Sequence, residues 1–380
     1  MSHSRPYDAI VAGVGTMGSA ALYHLARRGR RVLGIERFGL AHSRGSMHGH
    51  SRIIRLAYHE HPDFVPLLRR AYELWRQLEA EAGTQLLHVT GSLEIGLPDG
   101  LLVSGALRAA REHELPFELL EPADIRRRFP AFEPGADEVG FAQPDGGYLR
   151  AEDAVRAHVS LAVAAGAELR LEEPVVDWQA SGEGVSVRTA LGEYHAARLV
   201  LAPGAWAADL LRLPPGLFVV ERQILAWFEP IRAANLEPGR MPVFIVEEGD
   251  VHHYGFPAID ERGLKLGRMH YPGQTVSPDA WNREATAAEA APLRSFLERR
   301  LPDAPGRLLD AQACLFTNTP DRAFLIDLHP AEPNVVVASV CSGHGFKFAT
   351  VAGEILADLA EGGDTRQPIE FLRYARFETA

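Results

Sequence analysis

Residues 7–36 read YDAIVAGVGTMGSAALYHLARRGRRVLGIE, and the fold class follows from them. The apolar run 7–12 reads as a strand that enters a turn at Gly13-Val14-Gly15-Thr16-Met17-Gly18. Beyond it Met17, Ala20, Ala21 and Leu25 recur at helical spacing. Gly29 closes that helix beside Arg27 and Arg28, whose charges suit the negative end of the helix dipole. The run 31–35 is a second strand, closed by Glu36. Together they form a βαβ unit of the length a dinucleotide fold needs.

The three glycines have separate physical jobs. Gly13 permits the tight turn, Gly15 lets a pyrophosphate approach the backbone where Thr16 and Met17 begin the helix, and Gly18 lets helix and strand pack closely. Glu36, with Arg37 beside it, ends the second strand, where a carboxylate accepts the ribose hydroxyls of an adenosine and repels a 2′-phosphate. This pattern serves NAD and FAD alike.

The rest of the chain alternates between two styles. A helix over 151–165, a strand over 168–171, two short strands around Ser181-Gly182-Glu183-Gly184, a strand over 198–201 and the turn Pro203-Gly204-Ala205-Trp206 continue the nucleotide domain. Val175, Gly204 and Trp206 are cofactor candidates on these segments. By contrast, 90–96, 117–120 and 218–266 hold alternating strand-like runs, which predict a separate antiparallel sheet. The α/β style then returns, with a strand over 334–339, the turn Ser342-Gly343-His344-Gly345 and a helix over 346–359. The predicted fold is therefore α/β locally and α+β overall: a Rossmann-like domain (1–85, 150–214 and 311–380) interleaved with an antiparallel-sheet substrate domain (86–149 and 215–310).

A nicotinamide enzyme usually completes its nucleotide fold in one stretch. Here the last strand and helix come from the C-terminal end, which favours FAD. Gly343, His344, Gly345 and Phe346 put a glycine turn at a helix start, able to stabilise negative charge on a flavin's pyrimidine end.

Composition narrows the partners. The chain has 380 residues, 46% hydrophobic and 23% charged, with a net charge of −11. An acidic protein has no bulk attraction for nucleic acid, but a local pair of cations still holds a small carboxylate. No apolar run reaches the roughly 18 residues of a membrane span. Residues 9–25 are small and apolar like a signal peptide, yet Asp8 and the glycine spacing mark them as core, which points to the cytoplasm. Two cysteines, Cys314 and Cys341, suit a reducing compartment. No metal site is expected.

Four further motifs, in order along the chain, carry a resemblance. They are GSMHGHSRIIR at 45–55, GLKLG at 263–267, CLFT at 314–317 and SGHGFK at 342–347. Together they resemble the monomeric sarcosine oxidase family, whose relatives oxidise N-methyltryptophan, pipecolate and fructosyl amino acids. The resemblance implies covalently attached FAD on Cys314. It implies Arg55 and Lys347 as holders of the substrate carboxylate, and Lys265 as a cation that promotes reaction with oxygen. His48, Ser51 and Arg52 would lie near the flavin ring, and Tyr254 in the active site. The family histidine after the lysine falls on Met269, with His270 one residue later. A family tyrosine falls on Phe316, and a phenylalanine on Cys341. The expected activity is oxidation of a secondary amino acid, sarcosine or a close N-methyl amino acid first, by a monomer. The products are a primary amino acid, formaldehyde and hydrogen peroxide. The alternatives are an oxidase of a bulkier secondary amine, a quinone-coupled dehydrogenase and a non-catalytic flavin-fold binding protein.

Overall fold

The computed structural model describes residues 6–271 and 274–378. Five parallel strands form the centre of the first sheet, in the spatial order Glu168–Arg170, Val32–Ile35, Tyr7–Ala12, Glu193–Leu201, Glu332–Ser339. Strand Leu325–His329 adds antiparallel at one end, and the hairpin Val175–Ser181 with Gly184–Thr189 pairs with the near end of Glu193–Leu201. The central strands Tyr7–Ala12 and Val32–Ile35 are apolar because helices and the hairpin cover both faces.

Helix Thr16–Arg27 follows the glycine turn and packs on helices Ala151–Ala164 and Ala349–Gly362. Gly353 sets one of these approaches: a Cβ there would lie 2.4 Å from the Ala20 side chain. Gly18 instead lets the helix start close on its own turn, since a Cβ there would stand 1.7 Å from the Gly13 carbonyl oxygen. The amphipathic helix Phe64–Ala82 adds a further layer and stops at Gly83, which is left-handed (φ 63°).

The second sheet has eight strands, in the order Leu308–Asn318, Val219–Phe228, Leu264–Arg268, Val251–Ala258, Val243–Glu248, Ser92–Gly96, Val139–Gln143, Glu118–Leu120. Helix Ala287–Arg300, opened by a capping box between Thr286 and Glu289, covers one face with Leu293, Phe296 and Leu297.

The structure departs from the sequence reading in four places. The second sheet is not wholly antiparallel: Ser92–Gly96 and Val243–Glu248 pair in parallel. These strands come from separate stretches of chain, so no hairpin dictates their direction. The strand expected over 90–96 begins at Ser92, and an unexpected strand, Leu87–Val89, precedes it, because Gly91 (φ 77°) turns the chain between sheets. Leu87–Val89 instead joins Gly147–Arg150 and Ser51–Ile54 in a small three-stranded sheet. The helix expected over 346–359 opens as a 3-10 turn, Phe346–Phe348, before the α-helix begins at Ala349. Strand Leu308–Asn318 runs across the boundary drawn at 311 and pairs along Val219–Phe228.

Candidate active site

One cleft joins the C-terminal edge of the parallel sheet to the second sheet. It encloses about 1720 Å³ of space between atoms, open solvent at its mouth included. At one end stand Gly13, Gly15, Thr16 and Met17. Helix Thr16–Arg27 has no side-chain cap and no acidic residue in its first turn, so its leading N–H groups and positive dipole end face the cleft. A Cβ on Gly15 would meet nothing within 4 Å, which is the open approach an anion needs, whereas one on Gly13 would strike the Ala202 carbonyl at 2.4 Å.

Glu36 is buried at the rim of this region, with Arg37, Val175, Gly204 and Trp206 around it. Its carboxylate accepts from the Val14 N–H at 2.8 Å and the Phe38 N–H at 3.0 Å, which fixes its position against the glycine turn. Arg37 lies over the Trp206 ring at 4.9 Å, and Asp279 holds both, bonding the guanidinium at 2.8 Å and the indole N–H at 2.9 Å.

The middle of the cleft is lined by Arg52, Tyr254, Cys314, Phe316, Cys341 and the turn Gly343–Phe346. Arg52 donates to the carbonyls of Ser46, Ser51 and His48 at 2.6–2.7 Å, so the chain's own backbone holds its charge in place. Gly343 (φ 82°) packs on the Phe316 ring, which a Cβ would approach to 2.6 Å. Gly267 similarly leaves room for the Tyr254 ring opposite it in the sheet. Burial pushes the Cys314 thiol up to about 11, against the opposing pull of Arg52 and Lys265.

Lys265 lies under this floor rather than on it. Its Nζ donates to Gly49 O at 2.7 Å, Ser51 O at 2.8 Å and the Ser51 hydroxyl at 3.2 Å, and it sits 4.6 Å from the Phe256 ring centre. Burial first, then the Arg52 charge, hold its pKa well below the usual lysine range.

At the far end Arg55 and Lys347 both line the cleft, and both are almost fully buried. Lys347 Nζ donates to His344 O at 2.6 Å and to the Tyr58 hydroxyl at 3.2 Å. The Tyr58 hydroxyl in turn meets His344 Nδ1 at 2.6 Å, and His344 Nε2 meets the Arg322 carbonyl at 2.9 Å. Burial, then the charge of Arg55, lowers Lys347 to about 7. Arg55 is held by Glu94 (Nε to Oε1, 2.7 Å), Glu60 (Nη2 to Oε2, 3.0 Å) and His59 Nδ1 (2.7 Å). Burial keeps His59 neutral, at about 3, so it accepts that bond.

The FAD dependent oxidoreductase family matches residues 8–359. The chain belongs to that family. It is similar to the monomeric sarcosine oxidase of Streptomyces avermitilis, 45% identical over 371 residues, 96% of each chain. It is also similar to the N-methyl-L-tryptophan oxidase of Yersinia pestis, 36% identical over 374 residues, 98% of this chain and 99% of that one. Among solved structures, NikD, an unusual amino acid oxidase essential for nikkomycin biosynthesis, has a TM-score of 0.85 at 29% identity, covering 97% of this chain and 98% of the other.

The residues present fit FAD. The uncapped helix start at Gly15 leaves N–H groups that would meet a pyrophosphate, the buried Glu36 carboxylate would meet a ribose, and the glycine turn 343–345 lines the same cleft as Cys314. Nineteen of the residues singled out from the sequence line the cleft: Gly13, Gly15, Thr16, Met17, Glu36, Arg37, Arg52, Arg55, Val175, Gly204, Trp206, Tyr254, Cys314, Phe316, Gly343, His344, Gly345, Phe346 and Lys347.

Five do not line it. Gly18 packs helix on turn, and Ser51 and Lys265 sit beneath the floor. His48 opens instead on a polar recess with Gln312 and Glu152. Burial, then the neighbouring Arg52, lowers His48 to about 4, so it is neutral and brings no charge to a flavin. Met269 lines the cleft, while His270, left-handed at φ 54°, turns its Nδ1 to Glu221 at 3.2 Å. Sequence reasoning missed Tyr58, His59, Glu60 and Glu94. Glu94 alternates with Leu93 and Ile95 like any solvent-facing strand residue, and only the sheet's second buried face shows otherwise. Among the described residues, no group of three or more His, Cys, Asp or Glu stands together to hold a metal ion, and no helix is long and apolar enough to cross a membrane.

Proposed function

We propose that the protein oxidises a secondary amino acid, with sarcosine or a close N-methyl amino acid as first choice. The observation that carries this is that Arg55 and Lys347, both buried, line the same cleft as Tyr254 and Phe316. Two buried cations from opposite ends of the chain neutralise one carboxylate and fix its orientation, Arg55 by its fork and Lys347 as a point charge.

FAD, held between the helix start at Gly15, Glu36 and the turn 343–345, would supply two-electron oxidation of the carbon beside the amine nitrogen, with oxygen as the final acceptor. The balance is N-methyl amino acid, oxygen and water to primary amino acid, formaldehyde and hydrogen peroxide. The chain's own work is positioning. The carboxylate clamp aims the N-methyl group at the cleft's middle, and the apolar lining of Phe316, Met269 and Ile245 excludes water there. Tyr254, whose pKa burial raises, stays protonated as a hydroxyl donor. Arg52 supplies a fixed positive charge beside the ring. Cys314 is the attachment point of a covalent cofactor, and Lys265 supplies a charge for the step with oxygen.

We also read the parallel-sheet region as the cofactor domain and the eight-stranded sheet as the substrate domain. The protein is taken as a monomer in the cytoplasm, in keeping with its acidic charge and two free cysteines. Met269, Phe316 and Cys341 in the cleft favour a bulkier secondary amine as the second reading. A peroxide-coupled screen of N-methylglycine, N-methyltryptophan, pipecolate and fructosyl amino acids decides. Turnover of N-methylglycine supports the first reading, and turnover of only a bulkier amine supports the second. Activity with a quinone or dye but none with oxygen overturns the oxidase.

A further inference from the structure

Glu94 is fully buried on strand Ser92–Gly96, beside Ile245 in the sheet register, and Ile245 lines the cleft. Its Oε1 pairs with Arg55 Nε at 2.7 Å, and its Oε2 has no hydrogen-bond partner among the described residues. The charged and titratable groups facing it come from four directions. The loop after Ser51–Ile54 brings Arg55, Tyr58, His59 and Glu60, and the glycine turn brings Lys347. The next strands bring Glu247 and His252, which pair with each other at 3.2 Å. Strand Val139–Gln143 brings only the neutral Phe141 and Gln143.

With every group ionised, Arg55 and Lys347 are balanced by Glu60 and Glu94, and a substrate carboxylate would bring an uncompensated third negative charge. Two carboxylates at one cation do not both stay ionised when a third arrives in a dry site. Glu60 bonds Arg55 at 3.0 Å and also feels the charge of Lys347, and its pKa is held low against burial, so it keeps its charge. Glu94 is the group with least support. We infer that Glu94 and the substrate carboxylate compete for Arg55, and that binding the substrate places a solvent proton on the Glu94 carboxylate. Glu94 thus acts through Arg55 as a positioning residue that ties carboxylate recognition to pH. This rests on the carboxylate-site reading above. Burial, then Glu60, pushes the group up toward neutrality against the pull of Arg55, to about 7, which brings the switch into a working range.

Acetate, which has no amine to titrate, is the probe, added to the FAD-loaded enzyme. Its Kd, read from the flavin absorption, is expected to rise about tenfold per pH unit above the Glu94 titration. Lys347 titrates in the same range, so the proton is located directly. Infrared difference spectra with ¹³C-labelled acetate at pH 8 should show a new protonated-carboxyl band in the wild type and none in Glu94→Gln. A wild type without the band overturns the inference, whether or not the variant folds; so does a band that survives in Glu94→Gln or Glu94→Ala. An Arg55→Ala control separates the two readings. If it binds acetate as well as wild type, the carboxylate site itself is wrong. If it loses acetate while the wild-type band is absent, only the Glu94 inference fails.

Discussion

Lys265 and Ser51 are joined twice: Nζ meets the Ser51 carbonyl at 2.8 Å and its hydroxyl at 3.2 Å. With Gly49 O at 2.7 Å, three oxygens surround one nitrogen. An ammonium satisfies all three as donor, and a neutral amine satisfies the two carbonyls while accepting from the hydroxyl. The niche therefore accommodates the proton's loss without an orphaned group.

That niche sets the first prediction. A charge helps oxygen only after an electron has moved, so Lys265→Met should slow the oxygen half-reaction far more than anaerobic reduction by substrate. The lost electrostatic contact is of the order of an oxyanion donor, roughly a hundredfold or more in rate. In the wild type the oxygen rate should fall as pH rises, with a midpoint well below that of a free lysine, because burial and Arg52 disfavour the ammonium. Stopped-flow absorbance separates the halves. If reduction collapses and the oxygen step keeps its speed, Lys265 serves the amine.

Cys314 gives the second. Acid precipitation of the FAD-replete wild type should leave a yellow pellet, and Cys314→Ser should release the colour to the supernatant. Cys341, whose Sγ accepts from the Thr317 N–H at 3.3 Å, is occupied by the backbone, so Cys341→Ser should keep the pellet yellow. A colourless wild-type pellet removes the covalent link.

The third concerns the clamp. Charge-assisted hydrogen bonds contribute roughly 1.5–3 kcal/mol each. Arg55→Ala or Lys347→Met should therefore raise KM about tenfold or more, with acetate inhibition weakening in parallel. Arg55→Ala carries an added stability cost, because the buried Glu94 loses its ion pair with Arg55 at 2.7 Å. Unchanged KM and unchanged acetate inhibition in Arg55→Ala would move the carboxylate site elsewhere.

How much of this was legible in the sequence depends on whether a residue acts locally. Gly13, Gly15, Gly18 and Glu36 announce themselves because turn, helix start and strand end are neighbours in the chain. Arg55, Cys314 and Lys347 needed motif resemblance, since nothing in their local sequence says they converge. Glu94 was hidden by period-2 alternation, which reports that one face differs from the other and not what covers it. The parallel pairing of Ser92–Gly96 with Val243–Glu248 was hidden for a related reason: register between distant strands is decided by packing, not by a turn. His48 shows the converse: the resemblance placed it near the ring, while its imidazole opens on a polar recess with Gln312 and Glu152.

The fourth prediction reads Glu94 through stability. Its folded-state pKa of about 7 lies above the ordinary value of 4.5, chiefly because of burial. Between those two values the folded state holds a proton that the unfolded chain has released, so stability falls as pH rises through this window. The loss is about 1.4 kcal/mol per pH unit for one group. Below 4.5 both states are protonated and the contribution is fully present; above about 7 it is gone. Glu94→Gln keeps the shape and cannot ionise. Thermal melts of the two FAD-loaded proteins should therefore converge near pH 5 and separate toward pH 8, with the variant the more stable there. Melting curves that stay parallel across that range would mean that Glu94 remains an ordinary ionised partner of Arg55.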